Sequence, residues 1–103
     1  MQRVRFPGLP TDPGYDVAQR TMSGYGSLIS IDLADAKTAE AFVDGCSLWV
    51  FATSLGGVES TLERRRRWKG ELKSIPEGLV RLSVGIEHVE DLWTDLAQSL
   101  NRL

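Results

Sequence analysis

Residues 79–87 read Leu-Val-Arg-Leu-Ser-Val-Gly-Ile-Glu, and this stretch limits the fold more than any other. Val80, Leu82 and Val84 alternate with Arg81 and Ser83. A period of two places the three aliphatic side chains on one face of a strand and Arg81 and Ser83 on the other. Gly78 precedes the run and Gly85 stops it. Past Gly85 the period changes. Val89, Leu92, Trp93, Leu96, Leu100 and Leu103 recur at i, i+3 and i+4 spacing, which predicts a helix over 88–102 with Leu92, Leu96 and Leu100 buried. Arg81 itself has two readings. It is a solvated surface charge, or it is a fixed anchor for an anion, since its planar fork suits a carboxylate or a phosphate.

The rest of the chain follows the same two periods. Ile29, Ile31 and Leu33 alternate with Ser30 and Asp32 and predict a strand over 28–33. Leu48 to Ala52 is a continuous apolar run and predicts a central strand over 48–53, covered on both faces. Val4 and Phe6 suggest a short strand ended by Pro7-Gly8. Asp12 before Pro13 suits a helix start, with Val17, Ala18, Thr21 and Met22 on one face. A second helix begins near Asp35, turns Ala36, Ala39, Phe42 and Val43 inward, and closes at Gly45. Glu59 to Trp68 reads as a charged helix, around which Arg64 to Arg67 spread at about 100° per residue. The element order is then β, α, β, α, β, α, β, α, which by itself would suit a parallel sheet.

Composition removes several classes of function. The 103 residues suffice for one domain, 1–103, and 42% apolar with 25% charged residues is ordinary for a globular chain. A net charge of −2 gives no overall attraction to nucleic acid or an anionic membrane, and no apolar run is long enough to span a bilayer. Cys46 is alone, so an internal disulfide is impossible and a reducing cytoplasm is expected. His88 is the single histidine, which leaves too few ligands for the usual zinc site. Trp68 and Trp93 read as packing residues.

Four blocks carry a family resemblance. Leu79–Glu87 resembles the near-terminal signature of the transsulfuration enzymes that use pyridoxal 5'-phosphate (PLP), such as cystathionine γ-synthase and the cystathionine β- and γ-lyases. Thr53-Ser54-Leu55-Gly56-Gly57-Val58-Glu59-Ser60 is similar to their SLGGVES stretch. Phe6-Pro7-Gly8-Leu9 is similar to YPGL, and Met22 to Ser30 to MSGFGGMxSF. The blocks stand in the family's order and match the C-terminal part of such an enzyme. The resemblance implies an α+β fold: a small, largely antiparallel sheet with helices packed on one face. It also implies a sulfur amino-acid substrate and a homo-oligomer, with no nucleic acid or membrane partner.

The same resemblance assigns candidate site residues. Arg81 matches the arginine that binds the substrate α-carboxylate. Ser54 matches the serine beside that carboxylate; as a residue before Gly56-Gly57 it reads equally well as part of a turn. A two-point grip on the carboxylate would help set the torsion about the substrate Cα that PLP chemistry requires. Thr53 stands where synthases and γ-lyases often carry Glu, so the choice between β- and γ-chemistry stays open. The Leu62–Trp68 stretch, with its ERRxRW pattern, is similar to a bacterial branch usually labelled cystathionine γ-lyase. The arginine run reads as a solvated helix or a subunit contact rather than a nucleic-acid patch, because Glu59, Glu63 and Glu71 flank it.

The family's cofactor lysine and its phosphate-binding turn have no counterpart here. Lys37, Lys69 and Lys73 are the only lysines, and none has the family's cofactor context. The expected reading is the C-terminal domain of a carbon–sulfur lyase or γ-replacement enzyme, inactive alone. The alternative is a stand-alone, non-enzymatic α+β module that binds a small carboxylate or a partner protein.

Overall fold

The computed structural model describes residues 3–67 and 74–103. Trp68, Lys69 and Lys73 lie outside the described residues. Five strands form one sheet in the order β1-β2-β5-β4-β3. They are β1 (Arg3–Arg5), β2 (Leu28–Asp32), β3 (Val50–Phe51), β4 (Thr61–Arg64) and β5 (Leu79–Ser83). The helices are α1 (Tyr15–Thr21), α2 (Ala36–Gly45) and α3 (Val89–Asn101). Every pairing is antiparallel except β3 with β4. The fold is α+β, and the parallel sheet that the element order alone suggested does not form.

The alternation around Arg81 sets the two faces of this sheet. Ile31, Val80, Leu82 and Leu62 are buried on one face, where they join Ala39, Phe42 and Val43 of α2 and Leu92 of α3. Asp35 starts α2 by accepting a hydrogen bond from the Thr38 N–H at 2.8 Å. The opposite face carries a row of register partners, Arg5–Ser30–Arg81–Glu63. Arg81 and Val80 therefore point to opposite faces, as the period of two requires. Asp32 joins the polar face and is held by Arg5 Nη2 at 2.8 Å.

Several expectations are corrected. The Glu59–Trp68 helix is not there: residues 61–64 are strand β4, all four buried, and Arg65–Arg67 form a short 3-10 turn. The charges mislead because Glu63, Arg64, Arg65 and Arg66 pair with opposite charges. Arg64 reaches Glu77 at 2.5 Å and Glu40 at 3.5 Å, and Arg66 reaches Glu77 at 2.9 Å. The Leu48–Ala52 run is not a central strand. Only Val50 and Phe51 pair, at the sheet edge, and both are exposed, while Trp49 turns inward. In α1 only Ala18 is buried; Val17, Thr21 and Met22 are exposed because the helix has just two turns and touches the fold at one position. On α3, Leu92 is buried as expected, but Leu96 and Leu100 are half-buried. With Ile29 and Trp93 they line an apolar cavity of about 200 Å³.

Asp95 joins α3 to the segment before β3. Its carboxylate accepts from the N–H groups of Ser47 at 2.8 Å, Leu48 at 2.7 Å and Trp49 at 3.0 Å. The Trp49 indole then donates to the Leu92 carbonyl at 3.1 Å.

Gly85 ends β5 where another backbone passes. A Cβ there would lie 2.1 Å from the Val58 carbonyl oxygen and 2.7 Å from the Ser60 nitrogen. Both are main-chain atoms and cannot swing aside. Gly85→Ala should destabilise the fold by roughly 1–3 kcal/mol, the usual range for overpacking. Urea unfolding measures it, and an unchanged midpoint would contradict this contact.

Candidate functional site

The polar face is closed over β4 and β5 by the loop that links β3 to β4. This loop carries the Ser54–Ser60 block. Its turn begins with Gly56 at φ +76°, a region that glycine enters without a Cβ clash. Three bonds fasten the loop to the strands beneath. The Gly56 N–H donates to Ser83 Oγ at 2.9 Å, Thr61 Oγ1 donates to the Ser54 carbonyl at 2.9 Å, and Arg81 Nη2 donates to the Thr53 carbonyl at 2.5 Å.

A second latch closes the loop's far end. Ser60 is fully buried, and its N–H and Oγ both donate to the Glu87 carboxylate, at 3.0 and 2.7 Å. Ser60 Oγ in turn accepts from the Gly85 N–H at 2.8 Å. These two bonds from Ser60 hold the Glu87 carboxyl below the usual carboxylate range. The first and last residues of the 79–87 stretch thus belong to one unit, a strand and the clasp that pins the loop over it.

Arg81 sits in the middle of that unit. Its side chain is 19% exposed. Besides the Thr53 carbonyl, Nη2 donates to Glu63 Oε1 at 3.1 Å. Glu63 is fully buried and also accepts from Arg65 Nη1. Of the three expected site residues, Arg81 and the Thr53 main chain meet directly. Arg81 reaches out from β5, the Thr53 carbonyl lies on its guanidinium, and exposed Ser54 follows in the loop. Glu63 was missed, being read as a flank of a charged helix. The signal for it is the alternation Thr61-Leu62-Glu63, which puts Glu63 opposite Arg81 once β4 pairs with β5.

Elsewhere the chemistry is quiet. Burial pushes the Cys46 thiol up to about 11, which keeps it protonated and unreactive near neutral pH. Among the described residues no His, Cys, Asp and Glu cluster could hold a metal ion. No helix there is long and apolar enough to cross a membrane.

Comparison with known proteins assigns this architecture. A family model described as Cys/Met metabolism PLP-dependent enzyme matches residues 1–101. The chain belongs to that family. This Cys/Met metabolism chain is 47% identical to a Streptomyces coelicolor protein provisionally named cystathionine gamma-lyase, over 95% of its own length and 24% of the relative's. It is 39% identical to cystathionine beta-lyase of Lactococcus lactis subsp. cremoris, over 99% of its own length and 29% of the relative's. A cystathionine gamma synthase from Xanthomonas oryzae pv. oryzae, solved in complex with cystathionine, matches it with a TM-score of 0.90 at 39% identity, covering 98% of this chain and 28% of that one. The chain therefore spans 24–29% of the length of these relatives.

Enzymes of the Cys/Met metabolism family depend on PLP, and the described residues do not make a seat for it. Lys37, the one lysine among them, is exposed on the first turn of α2. Arg64 and Arg66 are taken up by Glu40 and Glu77. What this part of the family's fold offers is a guanidinium, Arg81, held in place beside an exposed loop.

Proposed function

We propose that this chain is the C-terminal, substrate-carboxylate-binding domain of a PLP-dependent carbon–sulfur lyase or γ-replacement enzyme that acts on cystathionine or a related sulfur amino acid. The observation that carries this reading is Arg81: a partly buried guanidinium, tethered by Glu63 and the Thr53 carbonyl, on the polar face of the family's signature strand. Arg81 binds the α-carboxylate, Ser54 supports it from the loop, and Thr53 lines the same place.

The tether dictates how the carboxylate enters. Both edges of a guanidinium that present parallel donors include the same terminal nitrogen, here Nη2, if the grip is two-point. Nη2 already donates to the Thr53 carbonyl and to Glu63. A two-point grip therefore displaces one of them. Glu63 is sealed from water, whereas Thr53 stands in an exposed loop. The Thr53 carbonyl gives way, and the substrate carboxylate takes its place against Arg81.

The large part of the enzyme, with its PLP lysine, completes the site. Expressed alone, the chain should release neither ammonia nor thiol from cystathionine, and mixing with PLP should give no stoichiometric attachment at one lysine. A hybrid in which it replaces the matching segment of the Streptomyces coelicolor relative should do both. Turnover by the chain alone, or a folded, PLP-loaded hybrid with no turnover, would contradict the proposal.

A further inference from the structure

Glu63 has no assigned role, and its placement is unusual. It is a carboxylate with 0% side-chain exposure in a chain of 103 residues. A buried charge is tolerated only when it is paired and hydrogen-bonded. Its Oε1 atom lies between two guanidinium groups, Arg81 at 3.1 Å and Arg65. It is also the direct register partner of Arg81 across β4 and β5.

Resting on the reading of Arg81 as the carboxylate grip, we propose that Glu63 is a positioning residue for that grip. A free arginine side chain has four flexible torsions, and freezing them on binding opposes affinity. Glu63 fixes one end of the guanidinium from below, so the ordering is complete before substrate arrives. Strand pairing sets the anchor, which is more rigid than the exposed loop that supplies the Thr53 carbonyl.

The test is made in the hybrid enzyme, with cystathionine as substrate. Glu63→Gln keeps the shape and an acceptor but loses the charge, so the hold on Arg81 weakens. KM should rise about tenfold, with kcat changed less and PLP content unchanged. Glu63→Asp keeps the charge with a shorter reach and should recover part of the loss. In an Arg81→Ala background, Glu63→Gln should add nothing, because it acts through Arg81. If Glu63→Gln does not fold, Glu63→Asp supplies the same comparison. An unchanged KM with a lowered melting temperature, beside an Arg81→Ala variant that is impaired, would overturn the positioning role and leave the grip intact. Additive losses in the double variant would also overturn it. An unimpaired Arg81→Ala variant would remove the grip, and the role of Glu63 with it.

Discussion

Arg81→Ala in the hybrid enzyme is expected to lower kcat/KM by roughly one and a half to three and a half orders of magnitude. The Arg81 side chain is only 19% exposed, so its charge is partly desolvated. Truncating one side of a buried, hydrogen-bonded charge pair costs roughly 2–5 kcal/mol, mostly because the other charge is left without a partner. At about 1.4 kcal/mol per decade this gives the stated range. Arg81→Lys should recover only part of it, since an ammonium keeps the charge but not the planar fork. PLP content should not change in either variant, because Arg81 is assigned to substrate. The fold should survive, as Arg65 still faces Glu63. A solvated surface arginine behaves otherwise: its loss changes stability by about 0.5 kcal/mol at most and leaves activity alone.

Asp95→Ala is expected to produce the largest loss of stability. One carboxylate satisfies three main-chain N–H groups, at Ser47, Leu48 and Trp49, and it does so from α3 across a long sequence separation. At about 1 kcal/mol for each bond, the loss is about 3 kcal/mol. For a domain of this size that lowers the melting temperature by about 12–24 °C. The effect also depends on pH. Burial pushes the Asp95 carboxyl up, but the N–H groups of Ser47, Trp49 and Leu48, with Gln98, pull it down further, and the net result lies below its ordinary value. A carboxyl with a lower pKa folded than unfolded contributes stability above the unfolded value of about 3.9 and loses it as pH falls through the folded value. Thermal unfolding from pH 7 to pH 3 should show wild type losing stability faster than Asp95→Ala below about pH 4. Parallel curves would contradict the assignment.

Asp95 and Glu63 mark where the sequence could not be read. Both are charged residues inside the fold, and a pattern of apolar periods places charges outside. On α3, Leu92 was legible because it repeats with Trp93 and Leu96, yet Asp95 and Ser99 are buried where Leu96 and Leu100 are only half-buried. On β4, the charged string from Glu63 to Arg66 looked like a solvated helix, when Glu63 meets Arg81, and Arg64 and Arg66 meet Glu77, from other parts of the chain. Such partners lie far away in sequence and become visible only with the strand register. Where one face is simply apolar, as in β2, β5 and α2, the period sufficed. The edge strand β3 failed for the reverse reason: its exposed Val50 and Phe51 are apolar without being core. Arg81 was placed on its face by alternation, but only the resemblance named a ligand for it.

The central claim is that Arg81 holds a carboxylate. It is tested most directly by giving the hybrid enzyme two substrates, cystathionine and its analogue with the α-carboxylate replaced by a carboxamide. With Arg81 in place, kcat/KM should favour the carboxylate by roughly a hundredfold, the order set by a desolvated charge pair. In Arg81→Ala the two should converge to within a few-fold, both slow. A preference for the carboxylate that survives in Arg81→Ala at full size would show that another group holds it.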